Sequence, residues 1–461
     1  MKFIDREREL FSLNDFWKDN KPQLIVIYGK RRIGKTELIK QFIKDKPHIY
    51  FLAQKISEQE NLKMLGKLVG EYYDDNILKA NGFNNWQMFF EYLKKHIDKR
   101  IAIVIDEFSY LAESNKGISS IFQAGWDEYL KETPIYLILC GSSISMMEQE
   151  VLGYKAPLYG RRTGQIFLKP FKFYEASEFF PDLSFEKKLI FFSIAGGNPS
   201  YLNKINPVDS LEENLKKHFL SPESPLYSEV EFILHEELRE PRNYFAILKA
   251  IAFNKTKVSE IVNETGFEKN FVIKYLSILE DLQIVQKEVP ITEKNPLKSR
   301  KGIYKLQDQF FKFWFKYILP NKSKIEEGRT DIVLENILND FNLLVAENYE
   351  KVAQEIVLKN EDKFFSIERI GRWWDKNEEI DIVALNEKEN KILFGEVKWS
   401  NKPIGVNVYE DLKRKVKIVY WGNEDRIEYF SLFSKSGFTD DMKKVAKMEN
   451  VILFHEDKLI K

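Results

Sequence analysis

The sequence predicts a multi-domain α/β protein, and three observations carry that prediction. The chain has 461 residues, more than one hydrophobic core accommodates, so three or four domains are expected. Its first third alternates apolar, strand-like runs with amphipathic helices, the pattern of a parallel sheet covered on both faces. Strand-like runs return near the C-terminus in "EIDIVALNEKENKILFGEVKWS", where Asp381, Glu396 and Lys398 interrupt an otherwise buried pattern.

Composition narrows the class. The hydrophobic fraction, 44%, supports a real core in each domain, and 71 Lys and Arg balance 71 Asp and Glu. Net zero charge neither requires nor excludes nucleic acid, because a basic patch can lie within a neutral total. The single cysteine, Cys140, excludes a disulfide framework and fits a reducing cytoplasm. Its setting, "LILCGS", reads as an inert, buried strand end. The five histidines lack metal-ligand spacing, and "HEE" at His235 is not the HExxH zinc pattern. The opening "MKFIDREREL" has no apolar signal core, and no run approaches the ~18 apolar residues that span a bilayer. A cytoplasmic protein with no membrane partner is expected.

The first element is "LIVIYGKRRIGKTELIKQFI". Leu24 to Tyr28 form a buried-type strand, and Gly29, Lys30, Arg31, Arg32, Ile33, Gly34, Lys35, Thr36 and Glu37 form a glycine-punctuated loop entering a helix. A phosphate chain needs main-chain N–H groups turned inward, which small, permissive residues allow. The helix N-terminus adds partial positive charge, Lys35 reaches the β- and γ-phosphates, and the Thr36 hydroxyl serves Mg²⁺. This is a P-loop, so ATP and Mg²⁺ are the expected ligands. In "RIAIVIDEFSYL", Asp106 and Glu107 close an apolar strand. Asp106 would hold Mg²⁺ through its water shell, and Glu107 would orient or deprotonate the attacking water. In "TPIYLILCGSSISMM", Ser142 or Ser143 would sense the γ-phosphate, or the serines cap a helix. With "HIYFLA" and "GQIFLKPF", five strands are expected, the site lying at their carboxyl ends.

"FIDREREL", "GKRRIGKT", "IDEFSYL", "GSSISMM", "LYGRRTGQIFLKPF" and "GGNPSYL" together resemble the archaeal-type ATPases, P-loop proteins related to the AAA+ and STAND groups. The resemblance implies an AAA+/ASCE-type ATPase core with an acidic base at Glu107 and a serine sensor. It also implies that Arg161 and Arg162, which follow the fourth core strand, reach phosphate across a subunit interface of a homo-oligomer. Local salt bridges are the competing assignment for both. The helical stretch from Pro170 to about Glu240 suits the small lid of AAA+ cores, and Gly196-Gly197-Asn198-Pro199 breaks one of its helices near the nucleotide.

After "EPRN", helices at "YFAILKAIA", "KVSEIVNETG" and "EKNFVIKYLSILEDL" precede strands at "IVQKEV" and "GIYKL" around the basic loop "TEKNPLKSRK". This is the winged-helix pattern. Its third helix would expose Lys269, Asn270 and Lys274 to DNA, and its wing would offer Lys298, Arg300 and Lys301 to phosphates. Winged helices also serve protein partners. The aromatic "LQDQFFKFWFKYILP" reads as a core helix.

In the C-terminal hairpin, pairing Leu385 with Ile392 sets Asp381 opposite Glu396, with Lys398 on the same face as Glu396. Facing carboxylates repel unless a cation lies between them, and Mg²⁺ or Mn²⁺ would relieve this while Lys398 holds a hydroxide. These residues resemble the PD-(D/E)xK nuclease signature, whose members often add a helical glutamate, here Glu350. The C-terminal domain of the archaeal ATPases is itself known to resemble this fold. "KIVYWG" and "VILFHE" are expected as further strands. The domains are expected at 1–169 (ATPase core), 170–240 (lid), 241–320 (winged helix) and 321–461 (restriction-endonuclease-like α/β domain). The function expected is ATP hydrolysis coupled to DNA binding or cleavage. The alternatives are a signalling switch or a DNA-remodelling motor with an inactive nuclease-like domain.

Overall fold

The first strand, β1 (Gln23–Tyr28), is apolar on both faces because both are covered. The computed structural model describes residues 3–238, 240–423 and 425–460. Proximity along the fold divides the chain into two units, one of Met1–Pro170, Asn198–Ser200 and Ile233–Arg239, the other of Phe171–Gly197, Tyr201–Phe232 and Glu240–Lys461.

In the first unit, β1 is joined by β2 (His48–Leu52), β3 (Ile101–Asp106), β4 (Ile135–Gly141) and β5 (Gly164–Phe167) in the order β2-β3-β4-β1-β5. Every pairing is parallel, as the alternation predicts. Side chains of opposite parity enter separate cores. Leu24, Val26, Ile103, Ile105, Leu137 and Leu139 join one, and Ile25, Ile27, Val104, Ile138 and Cys140 the other. Two helices over these faces, Lys35–Ile43 and Glu58–Tyr73, bury Leu38, Ile39 and Phe42, and Leu62, Leu65 and Val69, respectively.

In the second unit, helices Pro241–Ala252, Val258–Thr265 and Lys269–Asp281 precede the antiparallel pair β6 (Val285–Glu288) and β7 (Ile303–Leu306). The aromatic segment is helical over Gln309–Phe313 and on through Trp314–Ile318, and its rings are buried. The Trp314 indole donates to the carbonyl of Tyr227 at 2.6 Å. A long helix, Thr330–Lys359, then leads to a six-stranded mixed sheet. Its strands are β8 (Arg369–Asp375), β9 (Glu378–Asn386), β10 (Lys391–Lys398), β11 (Ile427–Ser434), β12 (Ile452–His455) and β13 (Lys458–Ile460). The β9–β10 hairpin has the predicted register, Ile392 opposite Leu385 and Gly395 opposite Ile382.

One strand expectation fails. "KIVYWG" is irregular, and the strand beside β10 is instead Ile427–Ser434. The segment wraps around Arg426, whose guanidinium takes the carbonyls of Val419 and Trp421 at 2.6 and 3.0 Å. Those carbonyls are thereby unavailable to a ladder. "VILFHE" does supply β12.

Candidate functional site

At the carboxyl end of β1, the loop closes tightly against the end of β5. A Cβ at Gly29 would lie 2.4 Å from the Leu168 carbonyl oxygen, so only glycine fits, and Gly34 has φ 94°. The helix Lys35–Ile43 begins there. The buried Lys35 ammonium donates to the carbonyls of Gly29 and Lys30, both at 2.9 Å. Pro199, of the predicted helix-breaking segment, lies against Gly34. The Ile33 side chain is buried in the core and Glu37 is exposed beside Lys40, so these two offer the loop their main chain only. The Arg31 guanidinium meets Glu236 at 3.1 Å.

Across the sheet, the Thr36 hydroxyl donates to Asp106 at 2.8 Å, and the Tyr50 hydroxyl donates to the same oxygen at 2.6 Å. The Glu107 amide donates to the other oxygen at 2.9 Å. Burial first, and then the bond to Asp106, raise the Tyr50 phenol far above its ordinary range. The Ser142 hydroxyl donates to the Glu107 carboxylate at 2.8 Å, whereas Ser143 caps the following helix by accepting from the Met146 amide. A buried carboxylate joined to a threonine hydroxyl at the mouth of a phosphate loop fits a divalent cation.

Arg161 forms a two-nitrogen salt bridge with Asp127, its Nη2 at 3.0 Å. Arg162 donates to the Leu152 carbonyl at 2.9 Å and lies over the Tyr159 ring. Both arginines are thus held locally within one chain.

The C-terminal sheet assembles a second cluster. Asp381 and Glu396 are buried, one register step beyond the Ile382–Gly395 pair, and Asp381 accepts from the Val397 amide at 2.9 Å. Lys398 donates to Glu396 at 2.7 Å. Lys415, from the helix Val406–Val416, lies 3.3 Å from both Glu396 oxygens. Burial, reinforced by Glu350 and Glu396, pushes the Asp381 carboxyl up to about 7. Burial also raises Glu350, which sits 3.5 Å from Arg372 on β8. Against burial, Glu396 and then Asp381 hold the Lys398 ammonium above its ordinary range. Among the described residues, no group of three or more His, Cys, Asp or Glu side chains is placed to hold a metal ion. A cation between Asp381 and Glu396, which the buried acid pair fits, would complete its coordination from water or substrate.

Lys269, Asn270 and Lys274 are exposed on their helix, and Lys298 and Arg300 on the loop between β6 and β7. Lys301, also exposed on that loop, pairs with Asp375 and Glu293, at 3.0 and 3.6 Å. The loop rests on β8. The Ile291 amide donates to the Arg372 carbonyl at 2.9 Å, Arg369 donates to the Ile291 carbonyl at 2.6 Å, and the Trp374 indole donates to the Lys301 carbonyl at 3.2 Å.

Sequence reasoning missed Tyr50, Arg372 and Lys415. Tyr50 carried a signal, as a polar-tipped residue on a strand beside β3. The others are distant in the chain from the groups they touch.

A sequence profile described as an ATPase domain predominantly from Archaea matches residues 3–205, and one for archaeal and bacterial proteins of unknown function matches 314–415. The chain is 41% identical over 440 residues to Uncharacterized protein MJECL04 of Methanocaldococcus jannaschii, covering 94% of this chain and 95% of that protein. The chain belongs to this archaeal P-loop ATPase family. A shorter relative, Uncharacterized ATP-binding protein MJ0423 of the same organism, is 50% identical over 44 residues, 10% of this ATPase and 75% of that protein. Among solved structures, the Walker-type ATPase PABY2304 of Pyrococcus abyssi has a similar fold, with TM-score 0.50, 19% identity, and coverage of 68% of this chain and 96% of that one. The second profile spans Glu350, Asp381, Glu396, Lys398 and Lys415. Among the described residues, no helix is long and apolar enough to cross a membrane.

Proposed function

We propose that this ATPase hydrolyses Mg²⁺-bound ATP in the cytoplasm and acts on DNA, through a winged helix at 241–320 and a PD-(D/E)xK-like domain at 321–461. In this reading residues 1–169 are the catalytic core and 170–240 a lid. Lys35 exchanges its two loop carbonyls for β- and γ-phosphate oxygens, which the main-chain N–H groups of residues 30–36 also cradle. Thr36 and Asp106 would hold Mg²⁺, which would neutralise phosphate charge. Glu107 takes a proton from the water whose oxygen attacks the γ-phosphorus, the bond to the β-phosphate oxygen breaks, and ADP leaves. Ser142 keeps Glu107 aimed at that water. Arg161 is paired with Asp127 and Arg162 with the Leu152 carbonyl, so a role for either at phosphate requires that it leave its present partner. Lys269, Asn270, Lys274, Lys298 and Arg300 supply the DNA contacts.

The observation that carries the DNA reading is the buried Asp381–Glu396 pair with Lys398 on Glu396. Asp381 and Glu396 would hold Mg²⁺ or Mn²⁺, which neutralises charge on the phosphodiester, and Lys398 would hold the hydrolytic water. A second reading, gripping without cleavage, is favoured by the two ammonium groups already on Glu396. The test is incubation of linear, single-stranded and branched DNA with wild type and an E396A/K398A variant, with Mg²⁺ or Mn²⁺, with and without ATP. Cleavage by wild type alone supports a nuclease. Intact DNA that is still retained, or that stimulates ATP hydrolysis, supports a gripping motor or switch.

A further inference from the structure

The ATPase unit contains a carboxylate with no part in the scheme above. Glu237, the last residue of the helix Pro225–Glu237, accepts four hydrogen bonds from the turn after β4. The donors are the Ser143 hydroxyl at 3.2 Å, the Ile144 amide at 3.3 Å, the Ser145 amide at 3.4 Å and the Ser145 hydroxyl at 3.0 Å. Four donors on one carboxylate fix a turn that its own sequence, Ser-Ser-Ile-Ser, leaves free to take other paths. The residue that enters this turn is Ser142, buried and bonded to Glu107. The neighbour of Glu237, Glu236, holds Arg31 of the phosphate loop at 3.1 Å. One two-residue stretch therefore touches both the loop that binds phosphate and the turn that aims the base.

We infer that Glu237 is a positioning residue for ATP hydrolysis, acting through the 143–145 turn to hold Ser142 on Glu107. The inference rests on the reading of Glu107 as base and Ser142 as its partner. Burial raises the Glu237 carboxyl above its ordinary range, and the bonds from Ser145, Ile144 and Ser143 work against that rise by favouring the carboxylate. Removing Glu237 loosens Ser142 without touching Lys35 or Thr36. The loss should therefore fall on the hydrolytic step and spare nucleotide affinity.

The test measures steady-state and single-turnover ATP hydrolysis by full-length E237A, E237Q, S142A and E237A/S142A, with affinity for a fluorescent ADP analogue and thermal unfolding. E237A should lower kcat about 10- to 100-fold, with KM and ADP affinity changed less than about threefold. E237Q, whose amide nitrogen faces a main-chain donor, should fall between E237A and wild type. The double variant should be no slower than S142A, because Glu237 acts through that serine. Wild-type kcat in E237A, losses that multiply in the double variant, or a loss confined to KM or thermal stability would each overturn the inference. Should E237A fail to fold, E237Q and E237Q/S142A make the same comparison. S142A with normal kcat would remove the serine reading and the inference together, whereas a slow S142A beside a normal Glu237 variant would overturn the inference alone.

Discussion

Lys415 and Glu396 form a buried ion pair in which one ammonium lies 3.3 Å from both carboxylate oxygens. The two side chains are 11% and 7% exposed, so water does little to screen either charge. Replacing Lys415 by Met leaves Glu396 with Lys398 alone. The variant should unfold in urea with about 3 kcal/mol less stability. K415M/E396Q should lose less than the sum of the single changes, because the pair disappears as a unit.

Tyr50 shares one oxygen of Asp106 with Thr36. Y50F removes a hydrogen bond to a charged group, and about 1.5 kcal/mol of stability should go with it. Hydrolysis should also slow, because Asp106 loses one of the contacts fixing its rotamer. Thermal unfolding and ATPase rates at saturating ATP measure the two effects.

Glu355 accepts from the Phe173 amide at 3.3 Å, and burial pushes its carboxyl up to about 7. The folded state therefore binds a proton that the unfolded chain has already released between about pH 4.5 and 7. Its contribution is complete below pH 4.5 and is lost as pH rises through 7. E355Q, neutral throughout, should lack that part of the decline when unfolding is followed across this range.

Lys269 and Lys274 are exposed on one helix, while Lys301 is engaged by Asp375 and Glu293. K269A/K274A should weaken duplex DNA binding and reduce the salt dependence of the affinity by about two ions. K301A should leave the affinity within about twofold and cost about 0.5 kcal/mol of stability. Titrations at several salt concentrations separate the two.

What the sequence made legible was local. The phosphate loop could be read because its residues act through adjacent main chain, and the β9–β10 register because alternation ties Asp381 to Glu396 once Leu385 meets Ile392. Lys415 escaped notice because "YEDLKRKV" reads as a solvated amphipathic helix, and nothing local marks the one lysine that turns inward. Glu237 was hidden the same way, in "HEELRE". "KIVYWG" has strand composition, yet Arg426 claims its carbonyls, a preference set by tertiary contact rather than local pattern.

The loop between β6 and β7 lies along β8, an edge strand of its sheet, with the Ile291 amide on the Arg372 carbonyl. An uncovered outer strand is a template on which another chain can add itself. A C-terminal fragment begun at residue 321 would lack this cover and present β8 bare. Such a fragment should self-associate on expression, so the DNA-cleavage proposal is best assayed in chains that retain the 285–306 hairpin.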